Sequence, residues 1–269
     1  MKIIAFHSYK GGTGKTHLSA NLATVLAQKG YKTVLLDLDF RGPNLQTLTG
    51  IETKITINDL LFDPDLSGED ILISFEEKYN IPLFVAYAST DFRKMGDIVR
   101  ADKKQRQRSL KRILRLRDEL SESGFDFVII DTSPGVQMES IDGLVISDAT
   151  CLVLKADDFD IAGTKSMVNQ LYSLLDSKNY VILNRVVAET CPPEAGVWSE
   201  KDMKLVEKFE QTVKDEMRLE VVTSIPCFCE VAREGSRSIF SLKHPEHPFS
   251  KYIETLAEKL LEGFFPPPS

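Results

Sequence analysis

The feature that most constrains this chain is an apolar run, a glycine-rich turn and a helical stretch that follow one another near its start. Lys2–His7 is apolar enough to form a buried strand, and Lys15–Lys29 has helical spacing and ends before Gly30. The turn between them is Lys10-Gly11-Gly12-Thr13-Gly14-Lys15-Thr16. In such a unit, consecutive backbone N–H groups bind phosphate oxygens at the positive end of the helix. The segment therefore predicts a phosphate-binding loop in an α/β fold.

The residue types in this loop suit ATP with Mg²⁺. Glycines allow the backbone to approach the phosphates, Lys15 supplies charge to the β- and γ-phosphates, and the Thr16 hydroxyl is a ligand for Mg²⁺. A chance glycine-rich turn before a helix is the alternative, but strand, loop, helix and Lys-Thr occur together here. The predicted nucleotide contacts of the loop and first helical turn are Lys10, Gly11, Gly12, Thr13, Gly14, Lys15, Thr16 and His17.

The loop departs from the strict pattern G-x-x-x-x-G-K-[ST], because Tyr9 stands where the first glycine belongs and Lys10 follows it. This departure resembles the deviant P-loop of the MinD/ParA family of ATPases. The resemblance implies a three-layer P-loop NTPase fold, with a mostly parallel sheet flanked by helices on both faces. It also implies a slow, partner-stimulated ATP hydrolase that forms a homodimer with ATP. In that family the extra lysine reaches the partner's nucleotide, which assigns Lys10 a catalytic role in phosphoryl transfer.

Two carboxylate segments extend the resemblance. The run Leu35–Leu45, with D-x-D followed by Asn-Leu, looks like the family's switch I, which implies that Asp39 positions the attacking water and that Asp37 is structural. Asp131 ends an apolar run like a Walker B strand and would hold Mg²⁺ through water. The run Asp131-Thr132-Ser133-Pro134-Gly135 resembles switch II, written D-x-P-x-G or D-x-x-P-G, and implies that Gly135 contacts the γ-phosphate. From the residues alone, the first segment is equally typical of a solvated turn, and Asp131 of a helix cap.

The predicted base-binding residues come after two later strands. Asn184 and Arg185 follow the run Val181-Ile182-Leu183, and Pro226 follows Ile225. In the family that these segments resemble, the asparagine side chain hydrogen-bonds adenine, and an amide offers both the donor and the acceptor that this requires. The resemblance extends from Lys2 to about Leu261, so we expect residues 1–269 to form a single P-loop ATPase domain.

Short apolar runs alternate with amphipathic stretches along the chain, which predicts βα units. The predicted strands are Lys2–His7, Thr33–Leu38, Pro82–Tyr87, Phe125–Asp131, Thr150–Leu154, Tyr180–Leu183 and Glu220–Ile225. The predicted helices are Lys15–Lys29, Lys103–Ser121, Gly163–Asp176, Glu200–Met217 and Phe249–Glu262. Asp102 is expected to cap the second helix, and Gly263 to end the last one.

Bulk properties predict a cytoplasmic protein. No stretch approaches eighteen consecutive apolar residues, and Met1–Phe6 is too short and too soon polar for a secretion signal. The four cysteines, at positions 151, 191, 227 and 229, give no disulfide framework in a chain of 269 residues. The net charge of −7 argues against a general nucleic-acid binder.

One segment reverses that charge, because residues 93–117 contain eleven Lys or Arg and two acids. Leu110, Ile113, Leu114 and Leu120 have helical spacing and are expected to face the sheet, with Lys104, Arg108, Lys111, Arg112 and Arg115 outward. A solvated helix face is one interpretation. The other is non-specific DNA binding through Arg108, Lys111, Arg112 and Arg115, as in ParA-type ATPases. An acidic protein or anionic lipid could use the same surface.

The last helix carries an apolar stripe that favours packing against the core. MinD proteins end in an amphipathic membrane-targeting helix, but the polar face here mixes Lys and Glu, which makes stable membrane binding unexpected. Phe264 and Phe265 keep a membrane-associated positioning protein as an alternative.

The pair Cys227 and Cys229 opens a different alternative. Two thiols separated by one residue of an extended segment point to the same side, and a dimer would bring four thiolates together. A metal- or cluster-delivery ATPase is therefore a second hypothesis, beside ordinary packing of small apolar side chains.

Overall fold

A single parallel sheet organises the molecule. The computed structural model describes residues 1–188, 198–235 and 237–264, and within them eight strands form one sheet in the order β3-β4-β2-β5-β1-β6-β7-β8. β3 runs antiparallel to β4, whereas the other neighbours are parallel. The strands are β1 (Lys2–His7), β2 (Thr33–Leu38), β3 (Ile73–Ser74), β4 (Leu83–Ala86), β5 (Phe127–Thr132), β6 (Ala149–Leu154), β7 (Lys178–Val186) and β8 (Glu220–Pro226).

Helices cover both faces of this sheet. The helices are α1 (Lys15–Gln28), α2 (Leu45–Thr49), α3 (Ile57–Phe62), α4 (Gly68–Ile71), α5 (Glu76–Tyr79), α6 (Phe92–Arg100), α7 (Lys103–Glu122), α8 (Met138–Val145), α9 (Asp158–Gln170), α10 (Glu200–Met217), α11 (Cys229–Arg233), α12 (Phe240–Lys243) and α13 (Pro248–Phe264). Alternate residues of β1 point to opposite faces. Ile4 belongs to the apolar core that includes α1 and α13, and Ile3 to the core that includes α7, α9 and α10. The predicted α/β class with a three-layer, mostly parallel sheet is confirmed.

The central strands are apolar because both of their faces are buried. Every residue of β2, β5 and β6 is buried, and continuous Val, Ile and Leu runs are what a doubly covered parallel strand requires. Parallel pairing places the carboxyl ends of β1, β2, β5, β7 and β8 at one edge. The strand order reverses next to β1, and α/β sheets bind ligands at such a switch point.

All seven predicted strands are present, but two helix predictions are wrong. The helix predicted over Gly163–Asp176 begins five residues earlier, because the Asp157 side chain accepts a hydrogen bond from the Asp160 N–H and caps it there. It ends at Gln170 and is followed by a 3₁₀ turn, Tyr172–Leu174. Gly263 lies within α13 and does not end it. A Cβ atom there would lie 2.9 Å from the Tyr180 hydroxyl, so the glycine serves close packing.

The α13 helix packs against the core as its apolar stripe predicts. Phe249, Ile253, Leu256, Ala257 and Leu260 are buried against α1 and β8. Phe265 and residues 266–269 lie outside the described residues, so the membrane-associated alternative stays a prediction. Within the described ranges no helix combines the length and apolar character that crossing a membrane requires.

The basic helix α7 is held to the fold by one of its own cations. Asp102 caps it as predicted, accepting from the Gln105 N–H at 2.7 Å. Ile113, Leu116 and Leu120 are buried, so Leu116 takes the place expected for Leu110 and Leu114, which are only partly buried. The prediction that Arg112 points outward is wrong. Its guanidinium donates to four backbone carbonyls of the α3–α4 region, those of Leu60, Asp63, Pro64 and Leu66.

We expect Arg112→Ala to lower the free energy of unfolding by about 2 kcal/mol, since it leaves two partly buried carbonyls, those of Leu60 and Leu66, without their charged donor. Arg108→Ala is the matched control, because Arg108 is exposed one turn earlier on α7 and should change stability by less than about 0.5 kcal/mol. Urea denaturation followed by far-UV circular dichroism measures both. Equal destabilisation of the two variants would contradict the clamp role of Arg112.

Candidate active site

The glycine-rich loop joins β1 to α1 in a conformation that requires glycine. Gly12 and Gly14 adopt φ values of 76° and 98°, in the left-handed region. Asn184 donates from Nδ2 to the Thr13 carbonyl at 2.7 Å, and Arg185 donates to the Gly12 carbonyl at 3.1 Å. A Cβ atom on Gly14 would collide with Asn184 Nδ2, so only glycine fits. The end of β7 therefore holds the loop in shape.

A cavity of about 510 Å³ opens in front of this loop. It is bounded by the loop backbone, by Lys15 and Thr16, and by Asp39, Asn44 and Pro134 from the two switch-like segments. Lys15 is buried at its base, where an ammonium group is available to phosphate oxygens. The fold thus brings the loop, Asp39 and the Pro134 turn around one space, although they are far apart in sequence.

Two buried carboxylates stand side by side at the floor of this site. Asp37 on β2 and Asp131 on β5 are direct partners in the parallel ladder. Burial raises the pKa of Asp131 to about 7, against the opposing effect of the Lys15 ammonium and a hydrogen bond from the Thr16 hydroxyl. Burial, and then the Asp131 charge, raise the pKa of Asp37 well above its ordinary value.

This arrangement fits a divalent cation. Among the described residues, Asp131 Oδ1 and Asp37 Oδ2 are buried and have no hydrogen-bond partner. An ion held by the Thr16 hydroxyl and reached by Asp131 through water would satisfy the carboxylate and remove much of the repulsion. Oxygen donors of this kind suit Mg²⁺ better than a transition metal.

Asp39 is held on the cavity wall by three hydrogen bonds to one carboxylate oxygen. Its Oδ1 accepts from the Ser133 hydroxyl at 2.7 Å and from the Gly42 and Arg41 N–H groups at 3.0 and 3.3 Å. Sequence reasoning missed Ser133, since the contact spans 94 residues of sequence. The available signal was a hydroxyl residue at the proline position of D-x-P-x-G.

Gly135 is placed differently from the other predicted contacts. It adopts φ 74°, and its N–H donates to the Ser8 carbonyl at 2.8 Å. In this conformation the N–H is engaged inside the protein. A contact with a γ-phosphate therefore requires this hydrogen bond to open.

Lys10 lies outside its own phosphate cavity. Its ammonium is 3.7 Å from the Asp160 carboxylate and 5.4 Å from the centre of the Phe159 ring, both at the start of α9. The side chain is 48% exposed, whereas Lys15 is buried. The two lysines of the loop therefore differ in position: Lys15 faces the phosphate cavity, whereas Lys10 lies beside Asp160.

A second cavity of about 230 Å³ adjoins the first at His17. Asn184, Arg185 and Pro226 line it, which brings together the residues predicted to bind the base. Arg185 adopts φ 55°, a left-handed conformation that residues other than glycine rarely adopt, and such residues cluster at functional sites. Burial, and then the Arg185 charge, lower the pKa of His17, which keeps the imidazole neutral. Phe228, which also lines this cavity, was not predicted.

The cysteine pair borders the second cavity. Cys227 lines it, and Cys227 and Cys229 are both half-buried thiols. In the parts of the chain that the structure describes, no group of three or more His, Cys, Asp and Glu side chains could hold a metal ion. Cys191 lies outside the described residues. The four-thiolate site of a dimer stays a prediction.

Comparison with known proteins agrees with this geometry. An uncharacterized ATP-binding protein of Methanocaldococcus jannaschii is 28% identical over 259 residues, which cover 96% of this chain and 87% of that protein. The chromosome-partitioning ATPase Soj of Treponema pallidum is 30% identical over 163 residues, 60% of each chain. Among solved structures, septum site-determining protein MinD of Pyrococcus horikoshii, complexed with Mg-ADP, has a TM-score of 0.73 at 23% identity. The match covers 98% of this chain and 97% of that one.

A family profile described as an AAA domain matches residues 1–183, more than half of the chain. The additional lysine of the loop agrees with the deviant form of the Walker A motif. The chain therefore belongs to the MinD/ParA family of deviant Walker A ATPases.

Proposed function

We propose that this ATP hydrolase is a nucleotide-driven homodimer switch, in which ATP closes two copies of the chain and hydrolysis releases them. The observation that carries this proposal is the position of Lys10, half-exposed at the mouth of the loop and outside its own phosphate cavity. A lysine so placed can serve the triphosphate of a second copy. In this proposal residues 1–269 form a single P-loop ATPase domain in the cytoplasm, and an unidentified protein partner stimulates its slow turnover.

The triphosphate end of ATP would lie in the cavity of about 510 Å³. The backbone N–H groups from Gly11 to Thr16 would surround its phosphates, with Lys15 against the β- and γ-phosphates. Thr16 and, through water, Asp131 would hold Mg²⁺, which supplies positive charge to the transferring phosphoryl group. The unpartnered buried oxygen of Asp131 supports this assignment.

The base would enter the smaller cavity beside His17. Asn184 donates one N–H of its amide to the Thr13 carbonyl, and the rest of the amide can hydrogen-bond adenine. One side chain would therefore contact both the base and the phosphate-binding loop. Arg185 and Pro226 would flank the base, and the neutral His17 lies between the base and phosphate cavities. In this proposal the larger cavity binds the triphosphate and the smaller, adjoining cavity binds the base.

Asp39 would orient the attacking water. It lines the phosphate cavity, and the three hydrogen bonds that the described residues make to its carboxylate end on Oδ1. A carboxylate beside the γ-phosphate can accept a hydrogen bond from the water and direct its lone pair to phosphorus.

An apolar rim around Lys10 supports a second copy as the other half of the site. Tyr9 and Val136 are exposed, and Phe159 is 80% exposed beneath the Lys10 ammonium. The Tyr9 ring rests on Gly163 of α9, and the Gly135 N–H bond to Ser8 draws the Val136 segment beside the loop. Large exposed apolar groups gathered around a charged site are typical of an interaction surface.

Lys10→Ala should reduce turnover at least about a hundredfold, because a cation that enters in trans stabilises charge only in the transition state. Affinity for a fluorescent ATP analogue should change little. Asp39→Ala should retain only a small residual rate for a different reason, since it keeps Lys10 but lacks the water-positioning group. If the two variants are mixed before ATP is added, mixed dimers should regain turnover at the Lys10→Ala site.

The matched control for that mixture is the double variant Lys10→Ala/Asp39→Ala, which supplies neither group and should rescue nothing. Full turnover by Lys10→Ala alone would contradict the proposal that Lys10 acts on the nucleotide of the partner copy. So would a mixture that remains as inactive as its two components.

Asp39→Ala should also accumulate as an ATP-bound dimer, because closure no longer leads to hydrolysis. Size exclusion with light scattering should give twice the chain mass with Mg-ATP and the chain mass with ADP. Asp63→Ala, a change at an exposed aspartate, should behave as wild type. An Asp39→Ala protein that stays monomeric at saturating Mg-ATP would be incompatible with the switch.

For the biological role we propose DNA or cargo partitioning, or another form of spatial positioning. The chromosome-partitioning name of the Treponema pallidum relative supports this, as does the basic helix. Arg112 binds carbonyls, and Arg115 pairs with Glu119 at 2.7 Å. The cations that would meet DNA phosphates are therefore the exposed ones on the first half of α7, Lys103, Lys104, Arg106, Arg108 and Lys111.

Asp39→Ala with ATP should shift a non-specific DNA duplex at low salt, and affinity should fall steeply as salt rises. Neutralising Lys104, Arg108 and Lys111 together should weaken binding and lower the salt slope by about one per lost phosphate contact. Lys204→Ala is the control, since Lys204 is an exposed lysine on α10 and not on α7. A gel that shows no shift at low salt would reject the DNA role and point to an acidic protein or anionic lipid.

A further inference from the structure

The Ser133 hydroxyl donates a hydrogen bond to Asp39, the residue proposed to orient the attacking water. Its Oγ lies 2.7 Å from Asp39 Oδ1, and both residues are buried, with exposed fractions of 1% and 8%. A hydrogen bond from a hydroxyl to an ionised carboxylate is roughly twice as strong as one between neutral groups. This bond also joins the segment after β5 to the segment after β2.

Ser133 marks a departure of this chain from the D-x-P-x-G form of switch II. With Asp131 and Gly135 aligned to the first and last positions, Ser133 stands where that pattern has proline. Proline has no side-chain donor, so a chain with proline there cannot make this bond. The contact is therefore a property of the residue that this chain carries.

The backbone around Ser133 is fixed, which makes the hydroxyl a donor of defined position. The Ser133 carbonyl accepts from the Ser140 hydroxyl in α8 at 3.0 Å. On the other side, the Thr132 hydroxyl donates to the Phe6 carbonyl at 2.7 Å and lies 2.6 Å from His7 Nδ1. These bonds tie both sides of Ser133 to β1 and α8.

We propose that Ser133 is a positioning residue for ATP hydrolysis, whose hydroxyl holds Oδ1 of Asp39 and leaves the other carboxylate oxygen for the attacking water. The inference rests on the proposed role of Asp39. Ser133 follows Asp131 by two residues, so the same short segment would set both the Mg²⁺ contact and the water contact. A rotation of the Asp39 carboxylate would then require loss of the Ser133 bond.

The test is steady-state hydrolysis of Mg-ATP by the full chain, with kcat and KM measured separately. Ser133→Ala should lower kcat about tenfold, equivalent to about 1.4 kcal/mol, with KM within about twofold. Ser133→Thr keeps the hydroxyl and should restore most of the rate. Ser121→Ala, a change at an exposed serine late in α7, should match wild type. Ser133→Cys keeps the volume with a weaker donor and gives a second reading if the alanine variant folds poorly.

A double-mutant cycle separates this inference from the role of Asp39. In an Asp39→Ala background, Ser133→Ala should change the residual rate by less than about twofold, since the group that it positions is gone. The inference is wrong if Ser133→Ala keeps the wild-type kcat, if the threonine variant is as slow as the alanine variant, or if both backgrounds lose the same factor. Wild-type turnover by Asp39→Ala would instead overturn the Asp39 assignment, and the Ser133 role with it.

Discussion

The structure depends on a concentration of negative charge that the sheet itself creates. Parallel pairing of β2 and β5 sets Asp37 beside Asp131 at the carboxyl edge, and neighbouring strands are only about 4.8 Å apart. Asp39 is two residues further on, buried as well. Burial, and to a lesser degree the nearby Asp39 charge, raise the pKa of Asp131 to about 7 despite the Lys15 ammonium. The negative charge of the site therefore favours the binding of Mg²⁺ and of the lysine ammonium groups.

In the proposed switch this charge is balanced in two stages. Lys15 and Mg²⁺ belong to one chain and one nucleotide, so they compensate the site as soon as Mg-ATP binds. Lys10 is held apart by Asp160 at 3.7 Å, in a pair whose lysine is 48% exposed. The Asp160 side chain in this pair is only 3% exposed, so a buried carboxylate holds Lys10 beside α9. In the proposed dimer, the partner's triphosphate would compete for Lys10 through its greater negative charge, and full compensation would require two chains.

The parts of the fold that the sequence predicted correctly are those that local patterns determine. Continuous apolar runs located every strand buried on both faces, whereas β3, with two residues, is too short to leave a pattern. The start of α9 was missed because its cap, Asp157, is one of several neighbouring acids, and only the bond to the Asp160 N–H distinguishes it. A count of charges could not separate Arg112 from its neighbours, since its carbonyl partners lie 46 to 52 residues away.

The same limit applies within the site. The loop from Lys10 to Thr16 is contiguous, so its chemistry can be recognised in the sequence. The Asp39–Ser133 bond and the Asn184 bond to the loop join residues 94 and 171 positions apart. Such contacts arise from the strand order, in which β5 lies beside β2 on one side of β1 and β7 lies on the other side. Residue types therefore predicted which side chains form the site, whereas the pairing of the strands determines which contacts position those side chains.

The course of α7 suggests how a DNA contact could depend on the nucleotide. Its 20 residues span about 30 Å. Lys32, just before β2, donates to the Ser123 carbonyl, which places the end of α7 at the amino edge of the sheet. The helix runs antiparallel to the strands, so its first half approaches the carboxyl edge, where the nucleotide cavities lie. In the proposed ATP-bound dimer, two such helices would offer twice as many exposed cations to one DNA duplex. Because the salt dependence of DNA binding grows with the number of phosphates neutralised together, closure alone would strengthen binding without any change in α7 itself.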